Sequence, residues 1–295
     1  MSITLVAVVA ALVLGHVAPA LVASMRRFDW YRHWLQWLDQ RFAEGSAWRS
    51  RYGVALALAP PLLLVLLVQW ALATPLLGVP ALLFGMLALV YAWGPRDLDV
   101  DVEGILEAPD VVTRRAAMGH LLPANAPATG PALVDAVFIS ALRRWFGVLF
   151  WFLLLGPFGA LLYRLTALAA EGRTVALLPE ATAEGARVLH LVLDWPVAQL
   201  VTLSMALVGN FDPVFNAWRA SGGGSLQLDI GFLCAAGRAS VSSELAEEAE
   251  EYAQEGMVQA MQDLPELRDA MSLVWRILLL WLAVLAMFVI AGWVG

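Results

Sequence analysis

Long uninterrupted apolar runs separated by polar stretches set the pattern of this chain. Residues 53–73 and 76–94 are two nearly pure apolar runs with only Thr74-Pro75 between them, a connection short enough to imply a tight helical hairpin. About 20 apolar residues at ~1.5 Å rise are needed to cross a hydrocarbon core of roughly 30 Å, so both runs are predicted spans. A third is expected over 146–165, with Trp145 and Trp151 at one end and Tyr163 at the other as interfacial anchors. Pro157, inside Leu155-Gly156-Pro157-Phe158-Gly159, should kink it. A fourth covers 272–294, with Arg276 near its start, where a long side chain can snorkel to the interface.

Two further apolar stretches are less regular. Residues 3–25 are interrupted by Gly15, His16 and Pro19, which suggests a broken or half-inserted helix, with a complete span as its rival. The first charge is Arg26, so no positive segment precedes this run and it is expected to be retained. Residues 188–209 contain Asp194 and Pro196. An Asp at the bilayer centre costs roughly 2.5 to 3.5 kcal/mol, so a re-entrant or interface helix fits better than a full crossing. The stretch from Arg26 to Arg51 mixes Arg with Trp and Tyr, as an amphipathic segment at the headgroups does. Residues 95–145 are read as a cytoplasmic loop with short helices, Ser221 to Ser225 as a Gly-rich linker, and 242–264 as a polar helix with Glu244, Glu247 and Glu248 in its first turns. Arg clusters at 26–51 and 96–144 predict that both ends of the 53–94 hairpin face the cytoplasm.

Composition sharpens this picture. Apolar residues make up 61% of the 295, charged residues 15%, and the mean hydropathy is +0.73, where a soluble domain carries about 25% charge. The expected fold is an all-α integral membrane protein: about four transmembrane helices plus broken, re-entrant and interfacial amphipathic helices, in one polytopic domain over 1–295. The bilayer is its implied partner. All 18 basic residues are Arg, so a P-loop ATP site and Schiff-base chemistry are excluded, and the net charge of −7 argues against nucleic acid. Cys234 stands alone and reads as a small buried apolar residue. The His residues at 16, 33, 120 and 190 are scattered, with no metal-site spacing, and His33 and His190 read as interfacial. No Gly-x-Ser-x-Gly occurs.

Several charged groups remain as candidate site residues. Asp97, Asp99, Asp101 and Glu103 alternate directly after Pro95-Arg96; an extended segment with inward-facing acids would suit Mg²⁺, while a solvated strand or helix cap is the simpler account. Arg143-Arg144 suit bidentate contact with phosphate or carboxylate, or equally with lipid headgroups. Arg164 and Asp194 lie in apolar segments, where ionisable residues are functional candidates unless they form a structural pair.

The order of motifs resembles the AmpE family. It runs from the apolar hairpin and Gly94-Pro95-Arg96-Asp97-Leu98 to Leu149-Phe150-Trp151 and Leu155-Gly156-Pro157-Phe158-Gly159-Ala160-Leu161-Leu162-Tyr163-Arg164. Leu193-Asp194-Trp195-Pro196, then Val208-Gly209-Asn210-Phe211 to Trp218, and Leu273-Val274-Trp275-Arg276 continue it over nearly the whole chain. The resemblance implies a multi-pass inner-membrane protein of a Gram-negative bacterium, a regulatory modulator linked to cell-wall stress and β-lactamase induction. It implies more distantly the CobD/CbiB enzymes of cobalamin synthesis. Their Asn and acidic residues ahead of Leu-Phe-Trp are here Phe138-Ile139-Ser140, and their Arg after Asp-x-x-Pro is Gln199, so synthase activity is not expected to carry over.

The expected function is therefore a membrane modulator without demonstrated catalysis, working through a polar site at the cytoplasmic ends of its helices lined by Arg96, Asp97, Arg143, Arg144, Arg164 and Asp194. Its ligand would be an unidentified small molecule or a cell-wall-derived one. A corrinoid amide ligase with a rebuilt site is the alternative from another class. A transporter is disfavoured, because no inverted repeat or matched pair of broken helices is visible. Neither cofactor nor oligomeric state is specified.

Overall fold

A computed structural model of the chain describes Ala7, Val8 and Ala10 and residues 28–43, 45–72, 78–94, 97–122, 126–254 and 264–291. Among them the protein is all-α, with no strand, and four helices are long and apolar enough to cross a membrane. It is a multi-pass membrane protein. Most of the 3–25 stretch, the tip of the hairpin near Pro75, and 255–263 of the predicted polar helix lie outside the described residues.

The chain divides into two compact units, one formed by Met1–Pro95, Gly147–Asp194 and Leu285–Gly295, the other by Arg96–Phe146 and Trp195–Val284. The first contains α1 (Asp29–Arg41), α2 (Gly53–Leu72) and α3 (Val79–Ala92). The amphipathic α1 buries Tyr31, Leu35 and Leu38 at helical spacing while Trp30 and Trp37 stay exposed. Helix α2 is a candidate span of 20 residues; Leu63, Leu64, Leu67 and Trp70 point out of the protein, as residues that meet lipid do. Helix α3 is shorter than the 76–94 run suggested: 14 residues cover about 21 Å, less than the hydrocarbon core.

The segment after Asp97 is helical, with α4 (Leu98–Leu106) and α5 (Val111–Met118); Asp110 caps α5 by accepting from the amides of Val112 and Thr113, which holds its carboxyl below the ordinary range. Helix α6 (Gly130–Ala141), a π-helical turn at Leu142–Phe146 and α7 (Gly147–Leu155) then run on as one candidate span of 26 residues. The expected loop thus ends before Gly130, and the span placed at 146–165 is shifted. It stops at Gly156, whose φ of +69° only glycine adopts without strain, and Pro157 opens a separate helix, α8 (Pro157–Ala170). In the first unit α8 packs against α2, α3 and α7.

The 188–209 stretch falls in α9 (Glu180–Val208), one continuous helix of 29 residues with Pro196 inside it, long and apolar enough for a full crossing. Amphipathic α10 (Phe211–Ala220) and α11 (Gly231–Gln254) follow, then α12 (Pro265–Ile290), a fourth candidate span. In the second unit α11 packs against α6 and α10.

Breaks in the helices of the first unit are closed by side chains from neighbouring helices. Pro61 cannot donate to the carbonyl of Ala57, and Trp34 Nε1 of α1 supplies that bond at 3.1 Å. At the Gly156 break, Gln69 of α2 uses both ends of its amide, donating to the Leu155 carbonyl at 3.2 Å and accepting from the Phe158 amide at 3.0 Å. Trp151 Nε1 of α7 also donates across the first unit, to the Leu193 carbonyl at 3.1 Å. Gln69→Leu leaves two backbone groups of the α7–α8 break without these partners, and each buried unsatisfied group costs about 1 to 3 kcal/mol. Thermal unfolding in detergent should show a clear loss of stability, and an unchanged midpoint would mean that water serves the break equally well.

Candidate functional site

In the first unit a set of polar side chains is buried where α8 meets α9. Asp194 and Tyr163 are both 0% exposed and His190 is 2% exposed. The Tyr163 hydroxyl donates to Asp194 Oδ1 at 2.5 Å, and His190 Nε2 lies 3.6 Å from the same oxygen. His190 and Asp194 stand four residues apart, one turn of α9, so they share a face of that helix. The Tyr163 and His190 rings pack with centroids 5.5 Å apart. Gly147 makes the arrangement sterically feasible: a Cβ there would fall 2.2 Å from the tip of the Tyr163 ring. Arg164, the next residue of α8, is also buried, with its guanidinium 5.9 Å over the Phe28 ring, which in turn packs on Tyr91. A carboxylate flanked by a phenol and an imidazole in a medium of low dielectric can hold or pass a proton, and every change of its charge acts strongly on the surrounding packing.

The other candidates belong to the second unit, except Arg96, which lies outside the described residues. Asp97 occupies the N-cap position of α4. Because this segment is helical, the four alternating acids do not all share one face. Asp99 accepts from Trp275 Nε1 at 3.0 Å, Asp101 is buried and paired with Arg144 Nη1 at 2.6 Å, and Glu103 is exposed. Arg144 also donates to the His120 carbonyl at 3.3 Å, so it serves a buried carboxylate of its own unit. Arg143 and Arg144 both sit on the π-helical turn, a local widening of the helix that is rare and frequent at functional sites. Asp135 of α6 pairs with Arg238 of α11. No group of three or more His, Cys, Asp or Glu among the described residues could hold a metal ion.

No family model, no curated protein and no solved structure matches the chain.

Several side chains differ from their sequence-based assignments. Tyr163 and His190, expected at the interface, are buried partners of Asp194, and the His-x-x-x-Asp spacing was the available signal. Arg276, expected to snorkel, is held by both oxygens of Glu244 at 2.8 and 2.6 Å. Cys234 is half-buried rather than buried, and desolvation with the nearby Asp135 pushes its thiol up to about 11.

Tyr163→Phe removes the donor to a buried carboxylate and should cost about 1 to 3 kcal/mol in thermal unfolding; full wild-type stability would mean that the bond contributes nothing. A thiol pKa raised from 9.0 to about 11 leaves on the order of a hundred-fold less thiolate at pH 8. Maleimide labelling of Cys234 in folded protein should accordingly be far slower than in protein unfolded in detergent.

Proposed function

We propose that the chain is a regulatory protein of the AmpE kind in the inner membrane of a Gram-negative bacterium, modulating the response to cell-wall stress that induces β-lactamase. The observation that carries this reading is the fully buried Tyr163–Asp194–His190 set, which makes one carboxyl group within a candidate span the place where a charge or packing change is felt most. Such a group suits a protein that reports a state of the membrane or of a bound cell-wall fragment. The order of motifs from Gly94-Pro95-Arg96-Asp97 to Trp275-Arg276 supports the same reading.

Gln199 speaks against the synthase alternative. Its amide accepts from Trp218 Nε1 at 2.9 Å and donates to the Gly223 carbonyl at 2.8 Å, a supporting role where the CobD/CbiB-like pattern has a cation.

The deciding experiment places Asp194→Asn and the wild type in a host lacking the chromosomal copy, matched for membrane abundance, and measures β-lactamase induction by a cell-wall antibiotic. Asn keeps the size of the side chain while removing its charge. Loss of the wild-type effect at equal abundance is the expected result; an unchanged response removes the buried carboxyl from the mechanism. Growth of a strain lacking the cobinamide-forming synthase on this gene would overturn the regulatory reading outright.

A further inference from the structure

In the first unit the surface helix α1 borders a polar cavity that the proposed function does not use. The cavity is about 300 Å³ in volume, and its lining includes Gln36, Asp39 and Gln40 of α1, Arg49, and Leu177 and Pro179 around the end of the 3-10 turn Gly172–Leu177. Helix α1 packs against that turn. The polar groups reach the space: the side chains of Asp39 and Arg49 are 44% and 37% exposed, and Gln36 and Gln40 are exposed as well. The volume lies at the low end of small-ligand pockets.

Buried contacts hold the two charges in place. Trp48, fully buried, donates from Nε1 to Asp39 Oδ1 at 3.1 Å, while its carbonyl accepts from the buried Thr182 hydroxyl of α9. Gly53 and Gly185 permit this close seating, because a Cβ at either would strike a carbonyl of the 48–51 segment. Arg49 therefore projects from a fixed stretch of backbone. Its Nη2 stands 3.7 Å from Asp39 Oδ1, beyond hydrogen-bonding range, so guanidinium and carboxylate lie side by side with donors and acceptors still to offer.

Helical spacing shows which way the cavity opens. Trp30, Trp34 and Trp37 follow one another at intervals of four and three along one side of α1, and Trp30 and Trp34 line a separate, apolar cavity with Pro60, Pro61 and Leu64 of α2. That side carries the marks of the lipid interface. At 3.6 residues per turn, Asp39 is rotated about 180° from Trp30 and Gln36 about 120°, so the polar row turns away from lipid and toward water. A water-soluble occupant follows, and the charge pair defines it: an ammonium to meet Asp39, and a carboxylate to take two parallel N–H bonds from Arg49. Gln36 and Gln40, able to donate and to accept, are placed to read what the ligand carries besides. We propose that this cavity binds a free α-amino acid through its zwitterionic end, with the ammonium on Asp39 and the carboxylate on Arg49.

The full chain in phosphatidylglycerol nanodiscs, titrated calorimetrically with each of the common free amino acids in L and D form, tests this. At least one is expected to bind with a dissociation constant of about 1 mM or lower. Its N-acetyl and its C-amide derivatives, each lacking one charge, should bind about ten-fold more weakly, the worth of a hydrogen bond to a charged group. Asp39→Asn, which keeps an acceptor for Trp48, and Arg49→Gln should each weaken binding by a similar factor. The blocked derivatives decide the matter on the wild type even where a variant folds poorly. No binding by any amino acid up to about 10 mM overturns the proposal, and so does wild-type affinity in both variants. An N-acetyl form that binds as tightly as the free one would reduce the cavity to an anion site at Arg49. Loss of amino-acid binding on adding phosphatidylethanolamine to the nanodiscs would assign the cavity to a lipid headgroup instead; either result sinks the idea.

Discussion

Every backbone amide and carbonyl placed in hydrocarbon needs a partner, because no water is present to supply one. Regular helices meet this need internally, and prolines and glycines break it. The first unit holds Pro61 and the Gly156-Pro157 break in or beside apolar helices, and at each a side chain from another helix donates to a backbone carbonyl. Trp34 and Gln69 therefore brace these breaks. Each ties a backbone irregularity to a specific neighbour, so the irregularity fixes which helices lie together.

The same requirement governs the ionisable side chains. Asp194 is held by Tyr163 with His190 beside it, Asp101 by Arg144, Asp135 by Arg238 and Glu244 by Arg276. A buried charge left alone costs several kcal/mol, while a paired one roughly breaks even with an apolar replacement, so such groups contribute little net stability. They make the packing specific, and they leave it sensitive to any event that alters a charge. The set around Asp194 is the most deeply buried of these and for that reason the one where a signal would be felt.

Apolar length alone was enough to identify the all-α membrane class and the helices at 53–72 and 265–290, because crossing hydrocarbon is a matter of local length and composition. The remaining elements depended on contacts between distant residues. Residues 188–209 read as re-entrant because Asp194 and Pro196 carry a penalty when each is considered alone; Tyr163, 31 positions away, meets the Asp194 carboxyl, and the helix runs unbroken. The acids after Pro95 alternate as they would in a strand, yet the segment is helical and directs Asp99 to Trp275 and Asp101 to Arg144. Local pattern reports what a segment can bury. Whether a charge within it is a cost or a contact depends on the residue that folding brings to meet it.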